Sequence, residues 1–311
     1  MHCICNLYRY DKIKGLPEAF ETPGVCSNYS PLYVEKTTKA IKEFKAGGDA
    51  VFTLPNSPIK CAGAPQKILY IAEETFRLQG KPANMVYYTA LPVIFGVKKY
   101  ADALWKVVKE RGINVNLRHD LIEVKPDTRE AIFLNLDTQE KVVQHYDLLH
   151  VTPYMNAAPV VRDCKELSNS EGYLEIDKFT LQHVRYPNVF GLGDCTNLPT
   201  SKTAAAVAGQ FGVLRKNLGA VLDGKPMKGV YDGYTSCPLV TGKNSCILAE
   251  FDFSAPPKPL ETFPVNQAKE RSSMYLMKAH AMPFLYWQGM LRGFWEGPAI
   301  FRKAMRLGMS K

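Results

Sequence analysis

Paired cysteines, glycine-rich phosphate loops and long apolar runs are all missing from this 311-residue chain. Its eight cysteines (3, 5, 26, 61, 164, 195, 237 and 246) are spread over the whole length and none stands in a CxxC pair. That spacing excludes the usual zinc-ligand patterns and a small secreted disulfide framework, so no metal is expected. No stretch approaches the roughly 18 apolar residues of a membrane-spanning helix. The longest uninterrupted apolar run in the C-terminal region is AMPFLYW (281–287). The N-terminus, MHCICNLYRYDKIK, sets Arg9, Lys12 and Lys14 beside Asp11 with no apolar core, the pattern of neither a secretory signal nor a transit peptide. Disorder is excluded as well. An apolar fraction of 46% and a charged fraction of 22% are those of a globular protein, long enough for one large or two ordinary domains.

What the chain does have is a lopsided charge. The formal net charge is +9, and residues 271–311 hold seven Lys/Arg against one acid, Glu296, which places six of the nine charges in that tail. Basic charge suits nucleic acid and an anionic membrane surface equally well. No nucleic-acid motif accompanies it, so nucleic acid is not an expected partner. The tail is instead dense in aromatics. Phe284, Trp287, Leu291 and Phe294 recur at helical spacing until Gly297-Pro298. A second short helix sets Ile300, Phe301, Ala304, Met305 and Leu307 opposite Arg302, Lys303 and Arg306. This is the pattern of helices lying in a lipid headgroup layer. A core-packing helix with a solvated basic face is the competing reading.

The first half alternates helical and strand patterns. VEKTTKAIKEFKAG (34–47) predicts a helix, AVFTL (50–54) a buried strand, residues 65–79 a helix and NMVYYTA (84–90) a second strand. That is a βαβ unit, which implies a parallel sheet and an α/β fold. A helix over 98–112 follows. INVNLR, LIEVKP, EAIFLNL and KVVQHYDLLHVTP then read as short strands that include a meander. A pyridine-nucleotide site would need glycines after AVFTL and an acid at the end of the next strand. The loop offers SPIKC and the strand ends in Thr89 and Ala90, so no nicotinamide site is expected.

Two thiols stand out by position. Cys61 lies just before a helix N-terminus and beside Lys60, and both favour thiolate. Cys237 lies in turn-rich YDGYTSCPLVTG (231–242), 176 positions away. Two unrelated buried thiols are the alternative. Further signal comes from YPNVFGLGDCTNLPTSKTAAAVAGQ (186–210), where VFGLG predicts a strand running into a GxG turn, Gly191 and Gly193. Thr196 replaces the third glycine of a dinucleotide fingerprint. Asp194 and a helix of small residues follow, which suits a bound cofactor at the helix N-terminus. A tight strand-to-helix packing joint is the other reading.

Together NSPIKCAGAPQKI, FGVKKYADAL, YPNVFGLGDCTNLPTSKTAAAVAGQ, YDGYTSCPLVTG, LAEFDF and the MYLMKA…MPFLYW tail resemble the sulfide:quinone oxidoreductases of the eukaryotic, mitochondrial type. The resemblance runs in order from about residue 12 to the C-terminus. It implies an α/β flavoprotein of the disulfide-reductase-like fold, with Rossmann-like FAD and NAD-like domains, lying peripherally on the mitochondrial inner membrane through C-terminal amphipathic helices. It further implies that Cys61 and Cys237 form a redox-active sulfur bridge that sulfide opens, leaving a persulfide on Cys237. FAD would take the electrons and pass them to ubiquinone, and a small acceptor such as glutathione or sulfite would take the sulfur. Gly191, Gly193 and Asp194 would hold the flavin, with Lys202 or Thr203 near its pyrimidine edge. Lys202 reads equally as a solvated helix-start lysine. Tyr154, Phe284 and Trp287 are candidates for the quinone pocket.

The resemblance also sets an expected domain order. Residues 1–32 form an atypical N-terminus and linker, and 33–155 an NAD-like domain carrying Cys61. Residues 156–226 form the remaining part of an FAD domain, and 227–311 a C-terminal region with Cys237 and the membrane helices. The strand, GxGxxG loop and helix for the ADP half of FAD have no counterpart in residues 1–10, and the family-like sequence starts at DKIKGLPEAF. The expectation is a truncated product lacking roughly the first third of a typical member and binding FAD poorly. A non-catalytic, membrane-associating fragment is the alternative function.

Overall fold

The structure is a computed structural model that describes residues 7–308. Cys3 and Cys5 lie outside the described residues. In chain order the strands and helices are β1 (Leu7–Arg9), β2 (Val25–Cys26), α1 (Val34–Glu43), β3 (Asp49–Leu54), α2 (Ala64–Leu78), β4 (Asn84–Thr89), α3 (Lys98–Glu110), β5 (Asn114–Leu117), β6 (His119–Lys125), β7 (Glu130–Asn135), β8 (Lys141–His145), β9 (Leu148–His150) and β10 (Tyr154–Asn156). They continue with α4 (Pro159–Arg162), α5 (Ala204–Leu222), β11 (Thr235–Gly242), β12 (Ser245–Phe251), α6 (Ser272–Leu276), α7 (Met282–Phe284) and α8 (Ala299–Met305). The chain divides into two units. Among the described residues, one comprises residues 8–155 with 240–243, the other residue 7, residues 156–239 and residues 244–308.

The unit built on residues 8–155 has a parallel sheet in the order β2-β9-β3-β4-β5. Val51 lies between Leu149 and Val86, in register with both. Five consecutive residues of β3 and of β4 are buried, because helices cover both faces of such a sheet and polar alternation is lost. The mixed α/β architecture with a parallel sheet is as expected. Helix α1 stops sooner than the predicted residue 47: Phe44 turns out of the helix and stacks on Phe76 of α2 at 4.3 Å. The predicted run KVVQHYDLLHVTP is two strands. Its first part, β8, closes an antiparallel meander β6-β7-β8, and its second, β9, enters the parallel sheet. The crossing is pinned at Asp147, whose N–H donates to Asp49 O (2.8 Å) and whose carboxylate accepts Asp49 N–H (2.9 Å).

The other unit is organised around α5, with a core of Tyr173, Leu174, Ile176, Leu181, Leu214 and Tyr231 among others. The predicted strand VFGLG is not one. It makes a single antiparallel bridge, Gln182 to Phe190, and then a 3-10 turn over Gly193–Cys195, since its main-chain bonds go to the loop at 181–183. Strands β11 and β12 form a hairpin. The tail is helical from Ser272 to Met290, with π-wound turns at Met277–Ala281 and Leu285–Met290 on either side of Pro283. Proline cannot donate to the helical ladder, and widened turns absorb the missing bond.

Helix α8 corrects the expected amphipathic arrangement. Arg302, placed by periodicity on the solvated face, is 1% exposed and its guanidinium pairs with Asp232 at 2.5 Å. Ile300 (80% exposed) and Leu307 (85% exposed) face outwards instead. An ion pair whose guanidinium is buried and whose carboxylate remains partly exposed, with the guanidinium also over the Tyr234 ring at 5.3 Å, sets the face of this seven-residue helix against its hydropathy pattern. Among the described residues no helix is long and apolar enough to cross a membrane.

Candidate functional site

The predicted site residues fall in both units. Cys61 and Tyr154 belong to the unit of residues 8–155. Cys237, Gly191, Gly193, Asp194, Lys202, Thr203, Phe284 and Trp287 belong to the other.

Cys61 sits in the loop between β3 and α2 with a φ of +52°, a left-handed conformation that costs a non-glycine residue roughly 1–2 kcal/mol. Such strain is stored where the surroundings over-determine it. Here the Cys61 carbonyl accepts the Ala64 N–H (2.8 Å) and the Tyr29 hydroxyl (3.1 Å). The thiol is half-buried at the start of a 15-residue helix. The cation beside it is not Lys60, whose ammonium lies over the Tyr8 ring at 4.3 Å. It is Lys67, one turn into α2, with Nζ 3.3 Å from Cys61 Sγ. Helix winding returns a residue of the first turns to the loop that precedes it, whereas the immediate neighbour of Cys61 points elsewhere. An ammonium and a helix N-terminus both favour the thiolate.

The same loop is tethered from outside its own sequence. Asn56 N–H donates to Asp120 Oδ1 (3.2 Å), Met155 N–H to Ser57 Oγ (3.2 Å), and Lys60 N–H to Met155 Sδ (3.3 Å). Tyr154 does not present its hydroxyl as an isolated polar tip: it donates to Asp120 Oδ2 at 2.5 Å. Burial pushes the Asp120 carboxyl above its ordinary range, against the pull of these two hydrogen bonds. Asp120 and Lys67 were not visible as site residues in the sequence. Lys67 carried the weak signal of a cation in the first turns of a helix that follows a cysteine; Asp120 carried none.

In the other unit, the turn at 193–195 and the start of α5 border a small, shallow hollow lined by Gly193, Asp194, Thr200, Lys202, Thr203 and Ala206 among others. Gly193 has φ +77°, and its N–H donates to Gln210 Oε1 at 2.8 Å. At Gly191 a Cβ would meet Leu174 Cδ2 at 2.4 Å, so any larger residue there would have to displace the Leu174 side chain. Lys202 is not a solvated helix-start lysine. Its ammonium donates to the carbonyls of Asp194 (2.6 Å) and Thr196 (3.1 Å) and lies over the Tyr173 ring (4.3 Å). Burial lowers its pKa, with Asp194 opposing.

Thr203 caps α5, accepting the Ala206 N–H at 3.1 Å, and its hydroxyl also bonds that of Thr235 at 2.9 Å. Thr235 begins β11, and Cys237, buried, lies two residues along the same strand. Strand alternation puts Thr235 and Cys237 on one face. The sequence read Cys237 as part of a turn-rich stretch; it is a strand residue, tied through Thr235 to the cap of α5. Phe284 and Trp287 are 70% and 61% exposed on the helical tail.

No protein-family model matches the chain. It is 58% identical over 305 residues to the mouse protein named sulfide:quinone oxidoreductase, mitochondrial, across 97% of this chain and 67% of that one. It is 42% identical over 290 residues to the protein of the same name from Dictyostelium discoideum, across 93% of this chain and 63% of the relative. The chain thus spans about two thirds of the length of these relatives. Among solved structures, the sulfide:quinone oxidoreductase of Aquifex aeolicus superposes with a TM-score of 0.77 over 98% of this chain and 71% of that one, at 14% identity, a likeness of fold. On the extent and identity of the mouse match, this chain belongs to the sulfide:quinone oxidoreductase family.

Proposed function

We propose that the chain oxidises sulfide through a two-cysteine redox bridge, Cys61 with Cys237. FAD and then ubiquinone receive the electrons, and a small acceptor such as glutathione or sulfite receives the sulfur, at the surface of the mitochondrial inner membrane. The observation that carries this reading is the strained Cys61 with Lys67 Nζ 3.3 Å from its sulfur, in a chain of this family.

Sulfide as HS⁻ attacks the Cys237 sulfur. The bond to Cys61 breaks, a new sulfur–sulfur bond leaves a persulfide on Cys237, and Cys61 departs as a thiolate carrying the electron pair. The Lys67 ammonium neutralises that thiolate, and the α2 N-terminus adds its partial positive charge. After the acceptor removes the outer sulfur from Cys237, the two thiolates re-form the bridge by giving up two electrons. When bound, FAD supplies the two-electron acceptor for that step.

The residues of the α5 unit fit the ring end of a flavin. Thr200, Thr203 and Ala206 leave an open hollow at the N-terminus of a 19-residue helix, whose dipole favours a reduced, anionic ring. Lys202, half-buried and held on two carbonyls, brings a cation to the same wall. Phe284 and Trp287 would meet lipid or quinone from the exposed tail.

The test is sulfide-dependent reduction of a soluble quinone by the purified chain supplied with FAD, with Cys61→Ser and Cys237→Ser alongside. Loss of turnover in both variants is expected. Equal activity in all three would exclude the two-cysteine mechanism.

A further inference from the structure

We infer that Asp120, with Tyr154 as its partner, is the positioning residue that keeps the Cys61 loop in place against Lys67. The inference rests on the reading of Cys61 as a redox thiol and concerns what holds it there. Asp120 lies on β6, far from the loop in sequence, and is 5% exposed. A carboxylate withdrawn from water at this depth is retained only where hydrogen bonds satisfy it. Both of its oxygens are engaged, and both engagements lead to the same loop.

Oδ1 accepts the N–H of Asn56, where the chain leaves β3 and the loop begins (3.2 Å). Oδ2 accepts the Tyr154 hydroxyl (2.5 Å). Tyr154 in turn fixes Met155, which meets the loop twice, donating its N–H to Ser57 Oγ (3.2 Å) and accepting the Lys60 N–H at Sδ (3.3 Å). One carboxylate therefore holds the start of the loop directly, and through Tyr154 and Met155 holds its middle and the residue just before Cys61.

The consequence is chemical. Cys61 Sγ rides on the loop, whereas Lys67 Nζ rides on α2. Their 3.3 Å separation persists only while the loop is fixed relative to the helix. Without the Asp120 bonds, residues 56–60 lose their ties to β6 and β10, and a shift of that segment carries the sulfur away from the ammonium. Asp120 acts through the loop and touches no reacting atom.

The test is the rate of iodoacetamide alkylation of Cys61 in the reduced full-length chain, followed by peptide mass spectrometry against pH, with Cys164 as internal reference. Asp120→Ala should slow Cys61 at neutral pH by about tenfold and move its titration midpoint upwards by about one pH unit, leaving Cys164 unchanged. Asp120→Asn keeps an oxygen for Asn56 and an amide for Tyr154, and should restore the rate to within about twofold of wild type. Tyr154→Phe, which breaks only the second tether, should fall between them.

A folded Asp120→Ala chain with the wild-type Cys61 profile would overturn the inference, as would Asp120→Asn failing to rescue. If Asp120→Ala does not fold, Tyr154→Phe decides alone: an unchanged profile overturns, a slowed one supports. Alkylation needs neither sulfide nor flavin, so it is read independently of turnover. Activity surviving in Cys61→Ser would sink the functional reading while leaving this measurement intact.

Discussion

At residue scale, buried polar side chains divide into those with partners and those held neutral. His150 ends β9 and is fully buried, its ring stacked at 5.8 Å on Phe52. Nε2 accepts the Asn28 N–H at 3.1 Å, so the proton resides on Nδ1, which has no partner among the described residues. Burial pushes its pKa from 6.5 down to about 4. The unfolded chain takes up this proton near pH 6.5 and the folded chain only near pH 4, so stability falls as pH drops through that window. The loss amounts to roughly 3 kcal/mol and levels off below it. Urea unfolding midpoints should show this decline in wild type and a flatter profile in His150→Gln. A variant with the same slope would place the effect on other groups. Cys61 was legible because a cysteine replaced glycines in a strand-to-helix loop. Lys67 was missed because adjacency in sequence favoured Lys60, and only the winding of α2 shows which lysine reaches the sulfur.

At element scale, α5 links the proposed flavin hollow to the strand of Cys237. Thr203 serves both, as cap to Ala206 N–H and as hydroxyl partner of Thr235. Thr203→Ala should lower stability by about 1 kcal/mol, the usual value of a side-chain cap. It should also weaken flavin retention on gel filtration, because the start of β11 loses its tie to the helix. Full retention of bound FAD absorbance in that variant would separate the cap from the cofactor site. Helices α2 and α3 were predicted within two residues at either end, since their apolar faces repeat with helical period and are buried as such. VFGLG looked like a strand by composition. Strands exist through their neighbours, and this segment has a single bridge rather than a ladder.

At the scale of the whole molecule, the outer face of the tail is apolar as well as basic. Phe294 is 82% exposed, and Ile300 and Leu307 are exposed to a similar extent. Burying two such side chains in a headgroup layer is worth roughly 3–5 kcal/mol. Phe294→Ser with Leu307→Ser should therefore reduce sedimentation with anionic vesicles by tenfold or more, while added salt weakens wild-type binding only in part. Vesicle binding equal to wild type in the double variant would remove the tail from membrane association. For Ile300 the outward direction follows from Arg302 on the same helix, which turns inwards to pair with Asp232.

Local pattern by itself determined the α/β class, the meander, the main helices, the odd thiol at Cys61 and the aromatic, basic tail. These follow from periodicity and composition over neighbouring residues, and short-range sterics and hydrophobic burial act at that range. Tertiary structure decided what depends on residues distant in the chain: the pairing of Asp120 with the Cys61 loop, the attachment of β11 to the α5 cap, and the burial of Arg302. A hydrogen bond or ion pair between distant elements leaves no trace in local periodicity, because its energy depends on geometry that exists only after the sheet and helices have packed.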